Sequence, residues 1–103
     1  MRLNLHTDGI EVNDELSVLV DQRIDSALSR FKAHLGDVDV RLGDVNGPKG
    51  GVDKLCTLTI TVRNAQDVRI EEEAETIEAA LTKAASRAKT VVAQRVDKLT
   101  SHR

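Results

Sequence analysis

Residues 56–63 read Cys56-Thr57-Leu58-Thr59-Ile60-Thr61-Val62-Arg63. Apolar and polar side chains alternate without a break, the period-two pattern of a strand with one buried and one wet face. Working outward, Val38, Val40 and Leu42 alternate with Asp39 and Arg41 on one side, and Val68 and Ile70 alternate with Arg69 and Glu71 on the other. These three segments predict consecutive strands. The turn Asn64-Ala65-Gln66-Asp67 joins the last two, and the longer breaker-rich loop Asn46-Gly47-Pro48-Lys49-Gly50-Gly51 joins the first two. A fourth strand is expected at the start, where Leu3 and Leu5 alternate with Arg2, Asn4 and His6.

Two helices complete the pattern. Asn13 is placed to cap a helix that opens with Asp14-Glu15 and carries Leu16, Leu19, Val20, Ile24, Ala27, Leu28, Phe31 and Leu35 at helical spacing. Gly36 is the expected terminator. From about Thr76, Ile77, Leu81, Ala84, Ala88, Val91, Val92 and Leu99 mark a long terminal helix. The predicted fold class is α+β, in the order β-α-β-β-β-α. A four-stranded sheet would carry both helices on one face and leave the other to water. At 103 residues the whole chain, 1–103, is expected to form a single domain.

Composition narrows the function. No apolar run reaches the roughly 20 residues of a membrane span, and no signal-peptide segment opens the chain, so a cytoplasmic protein is expected. Cys56 has no intrachain partner for a disulfide. His6, His34 and His102 share no ligand spacing, and no carboxylate pair is set for acid-base work, so neither an enzyme nor a metal or other cofactor is expected. The net charge is -2. Residues 1–78 hold 9 Lys/Arg against 16 Asp/Glu, whereas residues 79–103 hold 6 against 1. A cationic terminal segment therefore follows an acidic body.

On that last helix Lys83, Arg87, Gln94 and Lys98 fall along one flank, and Arg23, Ser26 and Arg30 form a comparable row on the first helix. If both rows face one groove, they can follow a phosphate backbone. The rival account is that these cations complement the helix dipole. That covers Lys98 and Arg103 but leaves Lys83, Arg87 and Lys89 unexplained, because the effect fades within a turn. Lys49 and Lys54, in and beside the loop, either add to a nucleic-acid surface or belong to a plain connection. With Phe31 the only aromatic, base stacking on the open sheet is ruled out.

Several segments resemble the short hibernation-promoting factor / ribosome-associated inhibitor A family, also called sigma-54 modulation proteins. They are Arg2-Leu3-Asn4-Leu5, Asp14-Glu15-Leu16, the stretch Asn46 to Lys54 with Cys56 after it, and Ala79-Ala80-Leu81 through Arg87 to Asp97-Lys98-Leu99. The resemblance implies a ribosome hibernation factor of stationary phase and stress that regulates translation. Its partners would be the 30S subunit and its rRNA, bound in the mRNA/tRNA channel, with no membrane and no small-molecule substrate. It supports Arg23, Lys83, Arg87, Arg95 and Lys98 as RNA-binding residues, with Arg30, Lys49 and Lys54 as further candidates. Ser26, Thr90 and Gln94 stand where more cations would be expected. The alternative is a protein-interaction regulatory module that does not bind RNA.

Overall fold

The computed structural model describes residues 1–45 and 53–101. Lys49 and the glycine-rich part of the loop lie outside them. The elements are β1 (Arg2–Asp8), α1 (Asp14–Leu28), a 3-10 helix (Ser29–His34), β2 (Leu35–Asp44), β3 (Lys54–Val62), β4 (Val68–Ala74) and α2 (Ile77–Ser101). The sheet order is β1-β2-β3-β4. β1 runs parallel to β2, with Leu3 opposite Val38, and the crossover between them is α1. The other two pairings are antiparallel. The expected α+β architecture is therefore present.

The alternation read from the sequence becomes the core. Val38, Val40, Leu42, Cys56, Leu58, Ile60, Val62, Val68 and Ile70 are buried beneath Val20, Ile24 and Leu28 of α1 and Leu81, Ala84, Ala88 and Val92 of α2. The alanines let α2 sit close to the sheet, so long side chains on its flanks can reach β4. Asn13 caps α1 as expected, its side chain accepting from the Leu16 amide at 2.8 Å. Thr76 does the same for α2, accepting from the Ala79 amide at 3.0 Å. Asn64, in the left-handed region at φ 65°, turns the chain from β3 toward β4.

One boundary differs from the sequence reading. Gly36 does not terminate the first helix, which ends at Leu28 and continues as the 3-10 helix; Leu35 already begins β2. The glycine has a different use. A Cβ at Gly36 would stand 3.2 Å from the Thr61 Cγ2, so the neighbouring strand needs the space.

Candidate nucleic-acid interface on the outer face of α2

Three shallow depressions run along α2 and share residues. The first holds Lys83, Ser86, Arg87 and Thr90; the second holds Thr90, Lys89, Gln94 and Asp97 with Arg30 and Phe31; the third holds Gln94, Arg95, Asp97 and Lys98. Because Thr90 joins the first two, and Gln94 and Asp97 the last two, the surface is continuous. It brings together Lys83, Arg87, Arg95, Lys98 and Arg30 from the sequence candidates. Lys89, which falls on the other flank of the helix, joins them through Arg30. The acid-free run from residue 79 to 96 was the signal that could have included it.

The cations differ in what already holds them. The Glu72 carboxylate, on β4, sits 2.8 Å from the Arg87 guanidinium and 3.8 Å from the Lys83 ammonium. Lys83 also donates to the Glu73 carbonyl at 3.1 Å. Both cations are more than half exposed, at 57 % and 59 %, so these are surface pairs. Each is worth up to about 1 kcal/mol and is weakened by salt. Arg95 donates to the Gln66 carbonyl at 2.8 Å, fastening the turn before β4. Arg30 stacks over the Phe31 ring, 5.2 Å from its centroid. Lys89 and Lys98 pair with no carboxylate among the described residues.

The two rows do not simply face each other across a groove. Lys83 and Arg87 lean over β4, on the flank of α2 turned away from α1. Arg23 reaches the opposite flank, donating to the Thr82 hydroxyl at 3.2 Å and standing 4.0 Å from Glu78. Thr82 also lines the first depression, which keeps Arg23 at its margin.

Lys54 lies elsewhere, at the start of β3. Its ammonium is 2.9 Å from Asp53 and 3.3 Å from Asp44. The hydrogen bond to Asp53 chiefly, with help from Asp44 and against some loss of hydration, raises its pKa. Asp53 is fully buried, and its Oδ2 has no hydrogen-bond partner among the described residues. Lys54 thus already neutralises a buried carboxylate. Cys56 is also fully buried, and desolvation pushes its thiol up to about 12. It packs as a small hydrophobe and is no nucleophile at neutral pH.

Comparison with known proteins decides the family. The profile of the sigma 54 modulation protein / S30EA ribosomal protein family matches residues 3–100. The chain belongs to this family. Among solved structures it is similar to a ribosomal subunit interface protein from Coxiella burnetii, at TM-score 0.75 and 7 % identity, over 91 % of this chain and 96 % of that one. It is also similar to the N-terminal domain of Thermus thermophilus Protein Y, at TM-score 0.74 and 22 % identity, over 91 % and 98 %. At these identities both likenesses speak for the fold alone. No curated protein matches the sequence. No helix among the described residues is long and apolar enough to cross a membrane.

Proposed function

We propose that the chain is a cytoplasmic translation inhibitor that binds small-subunit rRNA in the mRNA/tRNA channel and holds idle ribosomes inactive. The observation that carries this reading is the continuous outer face of α2, which carries Lys83, Arg87 and Lys98 along one flank and Lys89 beside Arg30 on the other, on a chain of net charge -2. Arg23 and Arg95 stand at its margins. Lys54, at the start of β3, is a weaker contact, as is Lys49, which lies outside the described residues.

The mechanism is electrostatic occlusion. A phosphate arriving at the exposed Lys83 and Arg87 replaces the half-buried Glu72 carboxylate as their partner and releases its own condensed cations, a gain in counterion entropy. The acidic body contributes orientation: it is repelled by the same phosphates, which leaves the α2 face as the one that docks. Bound there, the folded domain fills space that messenger or transfer RNA would need. No bond is made or broken.

Co-sedimentation with purified 30S subunits across a salt series tests the proposal. Log affinity is expected to fall by about 0.7 to 0.9 per phosphate contact for each tenfold rise in salt. A flat response would favour the protein-interaction module that does not bind RNA.

A further inference from the structure

The sheet has two edges, β1 and β4, and among the described residues side chains reach the backbone beside only one of them. At the β4 edge, Lys83 takes the Glu73 carbonyl, and Arg95 takes the carbonyls of Gln66 and Asp67 in the turn that precedes the strand. At the β1 edge no described side chain bonds the backbone. β1 pairs with β2 alone, so the N–H and C=O groups on its outer side have no strand partner.

A shallow groove of about 360 Å³ runs beside that edge, lined by Met1, Leu3, Ile24, Asp21, Gln22 and Asp25. Its floor is apolar and its rim acidic. Asp21 and Asp25 are exposed, one turn apart on the flank of α1, and pair with no cation among the described residues. On the other side of the strand, the outward-facing residues are Arg2, Asn4 and His6.

We propose that the β1 edge is a docking site for an extended basic polypeptide segment, one with Lys or Arg at every second position, which adds to the sheet as a fifth strand. Main-chain hydrogen bonds supply the pairing, and alternate side chains supply the choice of partner. Residues facing the helices lay aliphatic stems on Leu3 and Ile24 and bring their charged ends to Asp21 and Asp25. Residues on the other face are uncharged, because the surface there mixes both signs, with Arg2 and Arg41 beside Asp37 and Asp39. A second copy of this chain fits poorly: pairing β1 with its own twin would set two Asp21–Asp25 rims against each other.

The test uses the full chain, isotope-labelled for NMR titration, and an acetylated heptapeptide alternating lysine and threonine, at low salt. Expected are saturable shifts confined to residues 2–8 and the Asp21–Asp25 flank, with slowed amide exchange along β1. Asp21→Lys with Asp25→Lys, both exposed, should weaken binding by about tenfold or more, and circular dichroism checks that the variant is folded. Methylating alternate backbone nitrogens of the peptide should abolish binding without changing its charge. The proposal is overturned if no saturable binding occurs below about 1 mM, or if the shifts lie on α2 or the open sheet face. Equal binding of a control heptapeptide with glutamate in place of each lysine, or concentration-dependent self-association through β1, overturns it as well. None of these outcomes depends on the ribosome.

Discussion

The β1 and β4 margins of one sheet are opposites in charge and in how they end. On β4, Glu72 meets Lys83 and Arg87 of α2, Glu71 meets Arg69, and the Glu73 carbonyl accepts from Lys83. β1 lies beside the acidic flank of α1, where Asp21 and Asp25 pair with no cation among the described residues; the Arg41–Asp8 pair sits at the far end of the strand. The difference teaches that net charge says little here. A mildly acidic protein can present a basic face and an acidic groove at once, because each helix overhangs a different edge.

That contrast can be broken or sharpened by experiment, and the largest effect lies midway between the two margins. Cys56, buried in β3, should react with iodoacetamide at pH 8 about a thousandfold more slowly than an unhindered thiol of ordinary pKa, since a value of about 12 in place of 9.0 removes that much thiolate. Faster labelling would mean that one edge opens. The same shift fixes a sign: ionisation favours the unfolded chain, so stability is intact below pH 9 and falls as pH rises toward 12.

At the basic margin, Lys83→Glu with Arg87→Glu should weaken binding to 30S subunits by about a hundredfold at moderate salt, measured by sedimentation with thermal unfolding as control. Unchanged binding would remove the proposed function. Glu72→Gln is expected to act the other way, strengthening binding by about threefold, because it frees both cations from their internal competitor. At the acidic margin, Asp21→Lys with Asp25→Lys should alter 30S affinity by less than about twofold, although the net charge moves from -2 to +2. A large gain there would show that overall charge, and not the α2 face, governs the encounter.

Most of the architecture was legible because one physical signal, alternation against helical spacing, repeats through Leu3 to Leu5, Val38 to Leu42, Cys56 to Val62 and Val68 to Ile70 without conflict. The end of α1 was not. Phe31 and Leu35 prolong the apolar spacing past the helix, since the 3-10 helix keeps pointing side chains at the core, and Gly36 invites a capping role it does not have. For the surface, helical phase placed Lys83, Arg87 and Lys98 on one flank, but it could not show that Glu72 would reach between the first two. Nor could it show that Arg95 would fasten a turn or that Lys54 would be held by Asp44 and Asp53. Those are meetings between distant segments, and spacing within one segment carries no record of them.

The parallel pairing of β1 with β2 also has a consequence in time. β2, β3 and β4 form a meander of near neighbours, whereas Arg2 must wait for Asp37 to find its place in the sheet. Closing that longer span costs more chain entropy than closing either hairpin. β1 is therefore expected to join the sheet after the β2–β3–β4 meander has closed, once the crossover helix has formed.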